Sequence, residues 1–305
     1  MNKGRVLKST GSWYEVLNEK GERINCRLRG KIRLEELSLT NPIAVGDFVS
    51  FEMQHNEGVI QDILPRKNYI VRQSVKKSKQ KHILAANLDQ AILVITLVYP
   101  RTSTGFIDRF LAIAESYSIP QVLIFNKSDI LDNELKAEQQ KLIDLYESIG
   151  VKCISVSAIQ DDLRAISSLL KGKVSLLSGH SGVGKSTIIN KLAPHISQKV
   201  EEVSDFSMKG KHTTTFAEMF ELEKDTFIID TPGIKELGLI DMEPEEISDN
   251  FPEMHKLRSD CKFGYRCMHL HEPGCAVIKA VQAGEIAPSR YINYVSMVEG
   301  EDNRK

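Results

Sequence analysis

The sequence predicts a multidomain α/β protein: an N-terminal β-barrel, then a parallel sheet covered by helices on both faces, then a mostly helical tail. Three observations predict it. Short strand-like runs separated by turn residues fill roughly the first 70 positions. From about Asn87, continuous apolar runs alternate with helical stretches. Finally, three of the five cysteines crowd between Cys261 and Cys275 in the tail.

The first region reads as strands over Gly4 to Leu7, Trp13 to Leu17, Ile24 to Leu28, Asp47 to Met53 and Gly58 to Leu64. Asn18-Glu19-Lys20-Gly21, Asn41-Pro42 and Asn56-Glu57-Gly58 supply turn chemistry between them. Five strands in about 65 residues suit a small closed barrel, and an OB-fold is the favoured arrangement. An SH3-like barrel fits the same strand count.

In the second region, Gln90 to Val98 is an unbroken apolar run, as a strand buried on both faces requires. A helix over Phe106 to Tyr117 follows, then a strand at Val122 to Phe125, a helix at Glu134 to Ser148 and a strand at Val151 to Val156. A helix at Asp161 to Leu170 precedes the strand Val174 to Leu177. After Gly233 the chain turns acidic, with Asp241, Glu243, Glu245 and Glu246. The expected boundaries are residues 1–70 for the barrel, 71–240 for the α/β domain and 241–305 for the tail.

Composition narrows the function classes. Across 305 residues the net charge is -1, so any contact with a polyanion must come from a local patch rather than a global field. No run approaches the roughly 20 apolar residues needed to span a bilayer. The start, Met1-Asn2-Lys3-Gly4-Arg5-Val6, lacks the apolar run of a secretory signal, and the expectation is a cytosolic chain without a membrane partner. In a reducing compartment, clustered cysteines point to metal rather than disulfides.

Val174 to Ser178 leads into Gly179-His180-Ser181-Gly182-Val183-Gly184-Lys185-Ser186-Thr187, and a helix is expected from Thr187 to Leu192. Strand, glycine-rich loop and helix are the context a phosphate cradle needs. The glycines let backbone N–H groups face a β-phosphate, and the helix N-terminus adds a favourable field. Lys185 is placed to reach the β- and γ-phosphates, and the Ser186 hydroxyl to ligate Mg²⁺. Asp230-Thr231-Pro232-Gly233 ends the strand Thr226 to Ile229. Its Asp230 is expected to hold Mg²⁺ through water, and the Gly233 N–H to touch the γ-phosphate.

Asn126-Lys127-Ser128-Asp129 follows the strand Val122 to Phe125. An aspartate carboxylate accepts from guanine N1–H and its exocyclic amine, whereas adenine offers neither donor there. Asp129 is therefore the expected base reader, with Lys127 stacked along the base and Asn126 bracing the loops. Ser157-Ala158 is expected to offer a backbone N–H to guanine O6. In Ras-like GTPases the phosphate loop comes first and the base reader late; here the order is reversed. Strand-end loops gather at one sheet edge wherever the chain begins, so a circularly permuted Ras-like P-loop GTPase domain keeps its site.

Between the phosphate loop and Asp230 lies Lys209-Gly210-Lys211-His212-Thr213-Thr214-Thr215, read as a switch. Thr214 is the first choice to complete the Mg²⁺ shell, with Thr213 and Thr215 open. Ile234 occupies the position where Ras-like enzymes carry the water-orienting Gln. His212 is the nearest polar candidate for that task, and the missing Gln implies slow intrinsic turnover.

Cys261, Cys267, His269 and Cys275 supply three thiolates and an imidazole, a set suited to one closed, structural Zn²⁺ site. His271 competes for the fourth position. Cys26 and Cys153 fall in predicted strands and read as core residues.

Together these residues resemble the ribosome small subunit-dependent GTPase A family, also called RsgA or YjeQ. The most specific elements are the motif order, the Lys211-His212-Thr213-Thr214-Thr215 switch, and Cys267-Met268-His269 leading to Glu272-Pro273-Gly274-Cys275. The resemblance implies an OB-fold, a permuted GTPase domain and a zinc-binding domain. It also implies GTP as substrate and GDP as product, and action late in maturation of the small (30S) ribosomal subunit, which stimulates hydrolysis. The expected partners are then that subunit with its 16S rRNA and further assembly factors, for a monomeric chain. Arg66, Lys67, Arg72, Lys76, Lys77, Lys79 and Lys81 form a basic stretch that could track an RNA backbone; a solvated linker is the plainer reading. A GTP-regulated RNA-binding module with incidental hydrolysis, and a zinc-handling GTPase, are the rival readings.

Overall fold

Alternating apolar residues in the N-terminal region build the strands expected of them. The computed structural model describes residues 1–28, 42–73, 81–194, 217–230 and 242–300. The chain divides into two compact units. The first comprises Met1–Ile92, Ala158–Gly179 and Gly184–Gly238; the second comprises Leu93–Ser157, His180–Val183 and Leu239–Lys305.

In the first unit, strands β1 (Asn2–Ser9), β2 (Trp13–Asn18), β3 (Arg23–Leu28), β4 (Phe48–Gln54) and β5 (Glu57–Ile63) form a barrel. Their order is β1-β2-β3-β5-β4, and an antiparallel β1–β4 pairing (Gly4 opposite Val49) closes it. The β3–β5 pair is parallel, with Arg27 opposite Val59. This Greek-key closure is the OB arrangement, which settles the choice between the two barrel types. Val6, Tyr14, Val16, Cys26, Ile43, Val49, Phe51 and Ile60 fill its core, each apolar side chain contributing about 1.5–3 kcal/mol by leaving water.

Two strands were not anticipated. β6 (Tyr69–Gln73) and β7 (Lys81–Ala86) pair antiparallel, with Ile70 opposite Ala85. Ile70, Ile83, Ala85 and Ala86 are buried, so the ends of the segment read as a basic linker are an apolar ribbon. Arg66 donates from Nε and Nη2 to the two carboxylate oxygens of buried Asp47, at 2.6 and 2.7 Å, and from Nη2 to the Pro42 carbonyl at 2.9 Å. Lys67 pairs with Asp89 at 2.5 Å. Both cations thus hold the barrel's exit in place. Arg72 and Lys81 are placed by their backbones, and Lys76, Lys77 and Lys79 lie outside the described residues.

The same unit contains β11 (Val174–Ser178), β12 (Glu218–Glu223) and β13 (Thr226–Asp230). β11 and β13 are parallel, and Leu177 lies opposite Asp230. β12 runs antiparallel to β13 and also meets the barrel strand β1, with Lys8 opposite Glu218. Helices α3 (Arg164–Leu170) and α4 (Lys185–Leu192) complete the unit.

The second unit has strand order β10-β9-β8. β8 (Gln90–Ile95), which enters this unit at Leu93, is buried along its whole length. β9 (Gln121–Phe125) and β10 (Lys152–Ser155) are parallel, with Leu123 opposite Cys153. Helix α1 (Thr104–Ser116) starts where the Ser103 hydroxyl accepts from the Phe106 N–H; α2 (Asn133–Ser148) is capped the same way by Asp132. The C-terminal helices α5 (Ala276–Gln282) and α6 (Pro288–Val298) share one core with α1, in which Ala112 meets Ile247, Phe251, Met254, Val277, Tyr294 and Met297. Among the described residues no helix is long and apolar enough to cross a membrane.

Candidate functional site

Each nucleotide motif sits at the end of a strand. The phosphate loop leaves β11 at Gly179 and enters α4 at Lys185. Gly182 and Gly184 hold φ of +84° and +99°, values that side-chain-bearing residues rarely adopt, which explains glycine at both places. Lys185 Nζ donates to the Gly179 carbonyl at 2.7 Å, so its ammonium folds back over the loop. Ser186 is half-buried in the first turn of α4, and Ser181 and Thr187 are exposed. The His180 ring lies against Phe106 of α1, with ring centroids 4.1 Å apart.

The Asn126–Asp129 loop leaves β9. The buried Asn126 side chain donates from Nδ2 to the Val183 carbonyl at 2.8 Å, and its backbone N–H donates to Ile95. This bond joins the Asn126–Asp129 loop to the phosphate loop. Lys127 adopts φ of +65° and its ammonium donates to the Tyr99 carbonyl. Ser128 N–H donates to the Val156 carbonyl at 3.1 Å, which ties the loop to the end of β10. Asp129 is exposed. Ser157 and Ala158 are buried; Lys191 of α4 holds the following turn through the Ala158 and Ile159 carbonyls at 3.3 and 2.9 Å.

Asp230 is placed by its backbone at the end of β13, beside Leu177 of β11. His212, Thr213, Thr214, Thr215 and Gly233 lie outside the described residues. Tyr99 was not singled out from sequence; it is 81% exposed, with φ of +49°, and its carbonyl accepts from Lys127. An aromatic just before a proline at a strand end was the available signal.

In the second unit, Cys261, Cys267, His269 and Cys275 are all buried, and their ligand atoms lie within 4.8 Å of one another. His269 Nδ1 is 3.3 Å from Cys275 Sγ and 3.6 Å from Cys261 Sγ; the two sulfurs are 3.9 Å apart. A tetrahedral ion with bonds of about 2.3 Å to sulfur needs ligand separations of about 3.8 Å, so the set fits one four-coordinate metal. His271 is exposed and outside the cluster. Burial, with Cys275 and Cys261 alongside, pushes the Cys267 thiol up to about 12, so a cation is what would make this sulfur a thiolate.

Sequence reasoning gave Glu272 no role. Its carboxylate accepts from the N–H groups of Met268, Leu270 and His271 at 2.7, 2.9 and 3.1 Å, folding the loop that presents His269. Although burial works against its charge, these donors hold Glu272 below the usual carboxylate range. Tyr291 and Tyr294 hydroxyls, donating to the His269 and Met268 carbonyls at 2.7 and 2.5 Å, fix the same loop from α6. Of the remaining cysteines, Cys26 is buried in the barrel as expected and Cys153 is half-buried on β10.

Comparison with known proteins agrees with this geometry. The RsgA GTPase family model matches residues 63–240, and the RsgA N-terminal domain model matches residues 3–60. A small ribosomal subunit biogenesis GTPase RsgA from Bacteroides fragilis is 51% identical over 305 residues, covering 99% of this chain and 98% of that protein. Its counterpart from Flavobacterium johnsoniae is 49% identical, covering 98% and 93%. Among solved structures, YjeQ from Thermotoga maritima superposes with a TM-score of 0.79 at 34% identity over 100% of this chain and 99% of that one. YloQ, described as a circularly permuted GTPase, gives 0.75 at 30% identity, covering 99% and 96%. With these two models matched in order and relatives about half identical over nearly the whole chain, the chain belongs to the RsgA GTPase family.

Proposed function

We propose that this GTPase works in the cytoplasm as a monomer, binding the small ribosomal subunit through its 16S rRNA late in maturation. The subunit stimulates hydrolysis of GTP to GDP and phosphate, and hydrolysis promotes departure. Support for the biological setting comes from relatives about half identical over nearly their whole length that are named for small ribosomal subunit biogenesis. The observation that carries the chemical reading is the Asn126 side chain bonded to the Val183 carbonyl, which joins the guanine-selective motif to the phosphate loop.

The residues then take these roles. Asp129 accepts from guanine N1–H and the exocyclic amine, the Lys127 stem lies along the base, and the Ser157–Ala158 turn offers a backbone N–H to O6. Gly179 to Thr187 wrap the phosphates: the loop amides at His180, Ser181, Gly182, Val183 and Gly184 donate to oxygens, and Lys185 neutralises the β- and γ-phosphates. Ser186, Thr214 and Asp230 would hold Mg²⁺, which offsets phosphate charge when bound. The Gly233 N–H meets the γ-phosphate. His212 orients the water that attacks the γ-phosphorus as the bond to the bridging oxygen of GDP breaks. Cys261, Cys267, His269 and Cys275 would hold one structural Zn²⁺, leaving no open position for chemistry.

Phosphate release measured with purified small subunits, with large subunits and with neither tests the reading. Strong acceleration by small subunits alone is expected. Equal turnover in all three would remove the assembly role and leave a GTPase of another purpose.

A further inference from the structure

We propose that the turn between Cys261 and Cys267 is a binding site for single-stranded RNA, with Phe263 and Tyr265 stacking on unpaired bases and Lys262 and Arg266 contacting phosphates. It rests on the ribosomal reading above and names a contact within it.

Lys262, Phe263, Gly264, Tyr265 and Arg266 place two rings and two cations in five successive residues with no acid among them. Phe263 is 47% and Tyr265 72% exposed, and both cations are exposed as well. Single exposed aromatics are ordinary on a protein surface; two flanked by cations on one short turn are not. The turn is also pinned. Gly264 N–H donates to the Cys261 carbonyl at 2.9 Å, Arg266 N–H to Phe263 and Cys267 N–H to Gly264, both at 3.1 Å. Lys262 N–H bonds the Gly274 carbonyl at 3.3 Å. Beneath it, the buried Arg258 donates from Nη2 to the Tyr265 carbonyl at 2.6 Å and lies 5.3 Å from that ring's centroid. Gly264 has φ of +51° and open space around it, so the chain reverses there without a side chain between the rings.

Rigid, exposed rings lose little entropy on binding. Every base has a π-face that such rings accept, but only an unpaired base exposes it. Flanking cations supply the phosphate term. With two cations and no acid among its five residues, the turn favours a polyanion.

The test is anisotropy with a labelled ten-nucleotide oligouridylate and the full chain in GDP. Phe263→Ala/Tyr265→Ala should weaken binding about 30-fold, the low end for two base–aromatic stacks. Phe263→Tyr/Tyr265→Phe should retain it. Lys262→Ala/Arg266→Ala should weaken it and reduce the salt slope by roughly 1.4, as for two phosphate contacts on a single strand. Metal content and melting temperature show whether each variant folds. Should the alanine pairs misfold, photo-crosslinking of a 4-thiouridine oligonucleotide to the parent decides: adducts on 258–275 support the site, and adducts confined elsewhere overturn it. Unchanged affinity of a folded aromatic double variant overturns the proposal. So does equal preference for a blunt duplex, or weakened binding to RNA-free ribosomal proteins with oligonucleotide binding intact. Small-subunit stimulation of turnover is read separately, so its persistence beside a failed oligonucleotide test sinks the stacking site alone.

Discussion

Asp108 of α1 accepts from Arg290 of α6 at 2.7 Å, with both side chains buried. Tyr146 hydroxyl and Asn293 Nδ2 donate to the same carboxylate at 2.9 and 2.6 Å. Arg290 in turn forks onto Glu253 at 2.8 and 3.1 Å and stacks 4.4 Å from the Phe251 ring centroid. Burial works against the guanidinium charge, yet Asp108 and Glu253 raise its pKa above the ordinary value. The tail is therefore locked to α1, the helix that follows β8. Asp108→Ala would remove one of the two carboxylates on a buried cation and leave the Tyr146 hydroxyl and Asn293 amide without this acceptor, and should destabilise the second unit by about 3–5 kcal/mol. Urea unfolding followed by tryptophan-independent far-ultraviolet dichroism measures this; a loss below about 1 kcal/mol would show the pair to be dispensable.

Asn126 and Asp129 sit three residues apart and should fail differently. Asn126→Ala leaves the Val183 carbonyl without its donor, at a cost of about 1–3 kcal/mol, and should weaken GTP and GDP binding together. Asp129→Ala touches an exposed carboxylate and should leave the melting temperature unchanged while GTP loses its advantage over ATP. Competition of both nucleotides against a fluorescent GTP separates the two outcomes. Retained GTP preference in the Asp129 variant would reject its role as base reader.

These contrasts mark what could be seen in the sequence. Glycines at positive φ, a lysine entering a helix and an Asn-Lys-x-Asp after an apolar strand are local requirements, so the phosphate and base loops were legible. The barrel strands were legible because alternation is local too. β6 and β7 were hidden because charges between Arg72 and Lys81 mask two short apolar runs. Asp108 and Arg290, 182 positions apart, have no local signature: each looks like a surface charge until the helices meet. The choice of His269 over His271 needed coordinates, since only the fold says which imidazole turns inward.

Alkaline pH should loosen the barrel. Burial pushes the Cys26 thiol from its ordinary 9.0 up to about 11, partly offset by the Gly58 backbone N–H. The folded state thus favours the neutral thiol: its contribution is full below pH 9.0 and is lost as pH rises toward about 11. Denaturant midpoints taken across that window should fall more steeply in the parent than in Cys26→Ala. Parallel slopes would mean the thiol does not report on folding.

Metal removal should act on the tail alone. Elemental analysis is expected to find one zinc per chain, near none in Cys267→Ser, and a full complement in His271→Ala and Cys153→Ser. Because a closed site couples ion binding to folding, the Cys267 variant should also lose the near-ultraviolet signal of Tyr291 and Tyr294, which bond the ligand loop. Zinc retained by Cys267→Ser, or lost from His271→Ala, would reject the ligand set.

Hydrolysis poses the last question, because Ile234 stands where related phosphate-loop enzymes orient water with an amide. A side chain without a donor or acceptor cannot do that, so another group, from the switch or from the subunit, must. His212 adjoins Thr213 to Thr215 and is the nearest side chain that can both accept from and donate to water. An interaction made only in the transition state changes turnover without changing ground-state affinity. His212→Ala should therefore cut subunit-stimulated turnover by about 10-fold or more, while nucleotide dissociation constants stay within about twofold. Single-turnover hydrolysis with saturating small subunits, alongside equilibrium binding of GDP and a non-hydrolysable GTP analogue, reads both quantities. Turnover equal to the parent would assign water orientation to a group supplied by the subunit instead.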